Sequence, residues 1–558
     1  MRHIVVGGGP AGCALAHSLL QGGPEVEVVL LEAGPEPTDL SRLAAGFPSV
    51  LSTPIYRNLR KEGCSLGKVK AAGEGAVLGG GSSVNAGYFV VEPHYWDSPS
   101  GWLACASPEE RRRQLAETWS RSAMTACAER ARLALGIEAR APDLVSPLAS
   151  SFLRACEKQG MERATPLAAT VQDAGAGYCG LTVNSMASGG RRDASMLLDR
   201  SDARLEVRTL CRARRLRWHE RGGESRDERA PGTQDQLEAD APLAALGVEL
   251  VGGELVEGDF VHVCAGPEAS CRLLMHSGVG CRGDPAWAEF NIPHKVDNAH
   301  IGEGYHDHPT AVDGFWSWTP CAPGMRRLPS YQATAFTTRI QVSCVVHGGF
   351  AFLPHLDAYL PAFWGITSLL LRALCWLVSR VLSSWKLNKE PFVFGSLFVT
   401  ASSPDHRAKL QLQSDDPERV CRVVGAGPTE SELDTLVEGL RMSEELQAGM
   451  FQLSQPATRP AQLVHTLLSA AGLRAPRHSN PAELNRRLRG FARNKLATLW
   501  HPAGGCCVGS ALDSQLRVMG TANVHVCGAA AFPQLPQANP QAQCYAMGMR
   551  LGAVLLSG

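Results

Sequence analysis

The sequence predicts an α/β fold whose first element is a βαβ unit. Three features near the start of the chain support this prediction: a β-prone run at 3–6, a glycine turn directly after it, and an apolar helical segment at 11–20. A second β-prone run follows at 26–31. Strands that alternate with helices are typical of a parallel sheet.

The turn after the first strand has the spacing G-x-G-x-x-G. In this pattern the first glycine permits the tight turn, the second lets the backbone approach a pyrophosphate, and the third lets the helix pack on the strand. An acid that accepts hydrogen bonds from ribose hydroxyls is expected at the end of the second strand. The sequence therefore predicts a dinucleotide site that includes Gly7, Gly9, Pro10, Ala11, Gly12 and Glu32.

Composition sets broad limits. A chain of 558 residues with 44% hydrophobic and 19% charged residues predicts a globular protein with two or more domains. The formal net charge of zero argues against a nucleic-acid partner. Because the glycine motif begins so early, we expect no leader peptide and a cytoplasmic protein. The 18 cysteines, mostly in apolar runs, predict reduced thiols, and the absence of C-x-x-C and H-E-x-x-H predicts no metal site.

Further elements follow along the chain. A charged segment with a helix-start signal at 107–110 predicts one helix that continues to Leu135. Alternation over 205–218 predicts strands, and the polar stretch at 221–242 predicts a surface loop. The run at 260–266 predicts a buried strand that ends where a helix begins.

An apolar segment at 359–387 contains three tryptophans. Arg372 and Arg380 near its middle argue against a membrane-spanning helix. Two interpretations stay open: a helix in the core of a substrate domain, which we favour, or a helix that lies in a membrane interface and associates the protein with the membrane.

Four further stretches occur in the order and spacing of one protein family. VLGGGSSVN (77–85) resembles V-L-G-G-S-S-x-x-N, and CAGP through LLMHSGVG (264–280) resembles S-A-G followed by L-L-L-x-S-G-I-G. IGEGYHDHP (301–309) resembles V-G-x-N-L-x-D-H-P, and HPAGGCCVG (501–509) resembles H-P-x-G-T-C-x-M-G before FPQLPQANP (532–540). The chain is thereby identified as resembling the glucose–methanol–choline (GMC) flavoenzymes.

The resemblance implies FAD, bound by a discontinuous domain that comprises 1–95, 196–309 and 497–558. It implies a substrate-binding domain with an antiparallel sheet, formed by 96–195 and 310–496. Some members tether FAD through a histidine just before the asparagine of the second motif. Because that position is Val84 here, we expect non-covalent FAD. By matching position, the further cofactor-binding residues would be Gly79, Gly80, Ser82, Asn85, Val207, Gly266, Gly528, Ala529, Asn539, Pro540 and Gln541.

The resemblance also implies a catalytic pair. His501 matches the family's general base, which takes the proton of an alcohol while the flavin takes a hydride. Asn539 matches the second residue, which hydrogen-bonds the substrate oxygen. The expected partner is a small-molecule alcohol, with a slight preference for a hydrophobic one, and the electron acceptor is unknown. The other histidines singled out are interpreted as structural or surface residues: His3, His276, His306, His308 and His525.

Two departures from the family pattern leave alternatives open. Ala76 stands where the family usually has arginine, and Gly528 stands where it has an aspartate that helps to bind the flavin. A light-driven fatty-acid decarboxylase is one alternative, suggested by the apolar 359–387 segment. A degenerate flavoprotein without catalytic activity is the other, suggested by the two departures.

Overall fold

A five-stranded parallel sheet forms the first layer of the molecule. In the computed structural model the described residues are 1–43, 47, 49–59, 62, 64, 73–105, 109–138, 145–164, 177–187, 190–220, 242–317, 331–348, 393–425, 427–454 and 480–557. Within them, the order of the parallel strands across the sheet is Val524–Val526, Phe260–Val263, Arg2–Val6, Glu27–Leu31 and Leu205–Arg208. The sheet joins strands from both ends of the chain.

The predicted βαβ unit is confirmed. The first helix is Pro10–Leu19, with proline at its first position, and it connects two strands that pair in parallel. The last helix, Gln541–Ser557, packs directly on it. Glycines allow this close contact, because a Cβ at Gly548 would lie 2.2 Å from the carbonyl oxygen of Ala11.

A seven-stranded sheet forms the second layer, and all but one of its strand pairs are antiparallel. The long helix Glu430–Ser454 packs on it. Both sheets are present, as predicted, but the positions of the domain boundaries stay a prediction. The order of the strands is Leu496–Thr498, Pro309–Ser317, Val393–Ala401, Ile340–Gly348, Tyr331–Phe336, Tyr178–Leu181 and Glu162–Ala164.

One local prediction needs correction. The charged segment forms two helices, Glu109–Thr118 and Arg121–Ala134, rather than one. The break falls at Trp119, whose buried indole donates to the carbonyl oxygen of Ser514, so tertiary packing overrides the local helical pattern. The strands predicted over 205–218 are present, and they contribute to two sheets, since Ala213–Trp218 belongs to an antiparallel sheet with Ala245–Leu250 and Leu255–Glu257.

The other longer helices are Pro147–Lys158, Pro267–His276 and Pro481–Asn494. The apolar segment 359–387 and almost all of the loop 221–242 lie outside the described residues. Within the described ranges, no helix has the length and apolar character needed to cross a membrane. The 16 cysteines in these ranges are free thiols.

Candidate active site

A cavity lies at the carboxyl ends of the parallel strands. Gly7 follows the first strand, Glu32 the second, Cys264 the Phe260–Val263 strand, and Cys527 the strand near the C-terminus, and all four line the cavity. Ligands of open α/β sheets bind at this edge, where the loops of several strands meet. The sheet therefore places the predicted glycine turn at a binding cavity.

Close backbone contacts in the glycine turn leave no room for side chains at Gly7 and Gly12. Gly7 has a φ of +104°, and a Cβ there would lie 2.6 Å from the carbonyl oxygen of Cys264. A Cβ at Gly12 would lie 2.0 Å from the carbonyl oxygen of Gly7. Pro10 and Ala11, the first residues of the helix, line the cavity together with Gly9. The positive end of the helix dipole thus borders the cavity and suits an anionic group.

Glu32 is a buried carboxylate at the cavity wall. Its Oε2 accepts from the N–H of Gly8 at 2.8 Å, and its Oε1 accepts from the N–H of Gly34 at 2.7 Å. Burial raises the pKa of Glu32, against the effect of these two N–H donors. Each oxygen retains a second lone pair, so the carboxylate can also accept from a ligand hydroxyl.

The second glycine segment faces the first. The N–H of Gly79 donates to the carbonyl oxygen of Gly8 at 2.7 Å. Gly80 has a φ of +53°, and a Cβ there would lie 2.8 Å from the Cα of Gly9. Gly80 and Ser82 line the cavity. Two backbone segments without side chains therefore approach each other closely, which leaves room for an extended ligand beside them.

Asn85 and Gln541 form a polar pair on the cavity wall. Asn85 Nδ2 donates to Gln541 Oε1, while Asn85 Oδ1 accepts from Arg191 Nη1 at 3.0 Å. Arg191 is fully buried and was not predicted, because no motif marks its position. Gln541 Nε2 is buried and lacks a hydrogen-bond partner in the described part of the chain. This donor is available to a polar atom of a bound group.

His501 and Asn539 meet in the same cavity. His501 Nε2 lies 2.9 Å from Asn539 Nδ2, and both residues line the cavity wall. His501 is only 8% exposed. Burial, followed by repulsion from His308, lowers the pKa of His501 well below its ordinary value. The ring is therefore neutral at neutral pH and carries one nitrogen with a free lone pair.

Buried polar groups support His501 from behind. Its Nδ1 lies 2.9 Å from Nδ1 of His308. Asp307 Oδ1 accepts from the backbone N–H of His501 at 3.0 Å and from that of His308 at 2.7 Å. Burial raises the pKa of Asp307 to about 7, although those two N–H groups act in the opposite direction. Trp500, just before the base, has a left-handed φ of 59°, so the backbone is strained beside the base.

Most of the predicted site residues come together at this cavity. Those that line it are Gly7, Gly9, Pro10, Ala11, Glu32, Gly80, Ser82, Asn85, Gly266, His501, Gly528, Ala529, Asn539, Pro540 and Gln541. Gly12 and Gly79 shape the two turns from behind the cavity wall. In the described ranges, no group of three or more His, Cys, Asp and Glu residues is arranged to hold a metal ion.

Val207, predicted to face the adenine, is the exception, because the structure places it away from the cavity. It lies inside the last strand of the parallel sheet, paired with Leu30, and is absent from the cavity lining. The chain reaches the cavity only after that strand ends, so Cys211 and Ala213 line the wall instead. The alternating pattern of 205–218 could have indicated Ala213 as a lining residue only if the sequence had also shown where the first strand ends and the second begins.

The two departures from the expected pattern also line the cavity. Gly528 has a φ of +107°, and a Cβ there would lie 3.0 Å from the Cβ of Ala11. The missing aspartate is therefore matched by a backbone conformation that favours glycine. Ala76 itself contributes no charge to the wall, but Glu74 and Arg57, which line the cavity as well, form an ion pair at 3.7 Å.

Apolar side chains cover the wall near the histidine. Phe47, Tyr331 and Leu499 belong to one hydrophobic cluster, against which Leu51 and Trp500 pack. All five also line the cavity. A ligand that reaches His501 from this side meets aromatic and aliphatic surface.

The fold and the cavity define a dinucleotide-binding α/β protein with a buried histidine at its site. Comparison with known proteins gives the family. Residues 1–310 match the N-terminal part of the GMC oxidoreductase family and residues 404–548 match its C-terminal part. The chain belongs to this family and is an oxidoreductase and a flavoprotein whose cofactor is FAD.

Individual relatives agree with this assignment. The chain is 25% identical to choline oxidase of Arthrobacter globiformis over 100% of this chain and 94% of that protein. A match to Protein HOTHEAD of Arabidopsis thaliana is 24% identical and covers 54% of this chain but only 50% of that protein. The fold resembles pyridoxine 4-oxidase from Mesorbium loti with a TM-score of 0.69 at 18% identity, over 100% of this chain and 99% of the other.

Proposed function

We propose that this protein oxidises an alcohol to the carbonyl compound, with FAD as the hydride acceptor and His501 as the general base. One observation carries the proposal: His501 Nε2 and Asn539 Nδ2 lie 2.9 Å apart in the cavity that the glycine turn also lines. A base for the hydroxyl proton and a donor for the substrate oxygen are thus adjacent, beside a site suited to a dinucleotide.

The residues present fit FAD. The helix that begins at Pro10 would bind the pyrophosphate, and Glu32 would accept from ribose hydroxyls. Asn85 and Gln541, with the unpartnered Nε2 of the latter, would contact the polar edge of the flavin. When bound, FAD supplies the atom that accepts the hydride. Val84 has no nucleophilic atom, so we expect no covalent link there.

The catalytic pair acts on the substrate hydroxyl. His501 Nε2 takes the hydroxyl proton, while Asn539 Nδ2 donates to the same oxygen and stabilises its developing negative charge. Because its pKa is lowered by burial, His501 is unprotonated before substrate binds. The imidazolium that forms is costly in this dry environment, so His501 releases the proton to solvent once the product leaves.

The apolar wall supports a hydrophobic alcohol as substrate. Phe47, Tyr331, Leu499 and Trp500 would pack against an aromatic or aliphatic group on the carbinol carbon. Peripheral membrane contact through 359–387 and a cytoplasmic location stay predictions, since nothing described bears on either.

An anaerobic substrate screen tests the proposal. The FAD-loaded protein is mixed with aromatic, long aliphatic and small polar alcohols, and bleaching of the visible flavin band is followed. We expect rapid bleaching with at least one hydrophobic alcohol, and a plateau rate that persists below pH 6.5 because of the lowered pKa of His501. A flavin that stays oxidised with every alcohol would contradict the proposal. Reoxidation by air or by a quinone analogue then separates an oxidase from a dehydrogenase.

A further inference from the structure

His308 contacts the proposed base on the side away from Asn539. The two rings meet edge to face, with centroids 5.2 Å apart and planes at 77°. Their Nδ1 atoms are 2.9 Å apart, and His308 is completely buried. Two neutral imidazoles at this distance must share one hydrogen, so one Nδ1 donates and the other accepts.

The orientation of Asn539 decides which nitrogen donates. Gln341 Nε2 donates to Asn539 Oδ1 at 3.2 Å and also to Ser343 Oγ at 3.0 Å. With Oδ1 held by Gln341, Asn539 presents Nδ2 to His501 and donates to its Nε2. Nε2 of His501 is then the acceptor, and its ring hydrogen lies on Nδ1, directed at His308.

We infer that His308 is a positioning residue that accepts the Nδ1 hydrogen of His501 and so keeps Nε2 unprotonated, where a substrate hydroxyl would take the place of the Asn539 donor. The inference rests on the proposed function and adds to it the residue that selects the tautomer of the base. In the reaction the alcohol proton passes to Nε2, and the Nδ1 proton is shared with His308. The positive charge then spreads over two rings, and no electrons move between them.

Two nearby carboxyl groups offset part of the cost of a positive charge on the buried pair. Asp307 accepts the backbone N–H groups of both histidines. From the helix Glu430–Ser454, Glu432 Oε1 contacts His406 Nδ1 at 2.7 Å, and both of these side chains are buried. Burial lowers the pKa of His308 to about 3, His406 acts in the same direction, and the charge of Glu432 opposes this shift only in part.

Two substitutions separate positioning from packing. His308→Asn retains an acceptor at the place of Nδ1, whereas His308→Leu fills the space without one. We expect the leucine variant to reduce its flavin with alcohol roughly 10- to 100-fold more slowly, less than the 10²- to 10⁴-fold typical of losing the base itself. In the leucine variant the acid limb of the pH–rate profile shifts to lower pH. The imidazolium of His501 has lost a hydrogen-bond acceptor, which lowers the pKa of His501. Substrate affinity stays close to the parent value, and the asparagine variant recovers most of the rate.

A tautomer measurement gives a readout that does not depend on activity. In protein with ¹⁵N-labelled histidine, assigned with His501→Gln, Nε2 of His501 is expected at the shift of an unprotonated nitrogen in the parent and the asparagine variant. In His308→Leu the two tautomers mix and the signal moves toward the average. A protonated Nε2 in the parent, or an unchanged signal in the leucine variant, overturns the inference even if alcohols are oxidised. The expected signals without alcohol oxidation would leave the tautomer assignment standing and reject only the proposed function.

Discussion

Three buried histidines cross the parallel sheet on adjacent strands and predict a specific sensitivity to acid. His3 Nδ1 lies 3.0 Å from His262 Nε2, and the rings of His262 and His525 are 5.1 Å apart. Burial is the main cause that lowers the pKa of His3 and of His525 from 6.5 to about 4. These rings are neutral in the folded protein but become charged in the unfolded chain below pH 6.5.

The magnitude follows from the pKa difference. A histidine whose pKa is depressed on folding contributes its full stability above pH 6.5 and loses about 1.4 kcal/mol per pH unit below it. For His525 the loss continues to about pH 4, which amounts to about 3 kcal/mol in total. Between pH 7.5 and pH 5.0 the loss from this residue alone is about 2 kcal/mol.

Urea unfolding of the FAD-loaded protein at these two pH values, followed by tryptophan fluorescence, measures the effect. His525→Leu is expected to lose about 2 kcal/mol less than the parent on acidification, because one titrating ring is absent. The comparison concerns the change with pH, so a constant packing cost of leucine cancels. His300→Leu, at an exposed histidine, should behave like the parent. Equal losses in the parent and in His525→Leu would show that titration of this buried ring does not cause the loss of stability.

Three further substitutions have calculable outcomes. Gly12→Ala should prevent recovery of folded, yellow protein, because its Cβ would lie 2.0 Å from a carbonyl oxygen, while Gly283→Ala, with nothing within 4 Å, should be unaffected in absorbance and yield. Leu210→Gly should raise the free energy of unfolding in urea by about 0.5–1 kcal/mol, since Leu210 is 73% exposed and has a φ of 58°; a decrease would contradict this. Glu268→Ala should lower that free energy by about 3–5 kcal/mol, since it leaves the guanidinium of Arg272 buried without its partner at 3.0 Å; a change below 1 kcal/mol would contradict it.

Local patterns predicted the part of the site that depends on local geometry. The glycine turn and Glu32 lie within one βαβ unit. Its tight turn and close backbone contacts require glycine at fixed positions, so these requirements can be read from the sequence. The same holds for the segment with Gly79 and Gly80. His501 was predicted as the base because of the motif residues that follow it in sequence, and the fold brings it next to Asn539.

Long-range contacts could not be predicted in the same way. His308 was interpreted as structural, and only folding shows its contact with His501, which is 193 residues away in sequence. Gln341 lies on a strand of the second sheet and carries no motif. The placement of Val207 away from the cavity could not be predicted for a related reason, because alternation along a strand does not show where the chain leaves the sheet.

The central claim is that His501 removes the alcohol proton. The most direct test is the rate of anaerobic flavin reduction by the best alcohol in the parent, in His501→Gln and in His300→Gln, each with FAD content measured first. We expect a rate about 10²- to 10⁴-fold lower in His501→Gln and an unchanged rate in His300→Gln. Reduction of His501→Gln at the parent rate, with FAD fully bound, would contradict the claim.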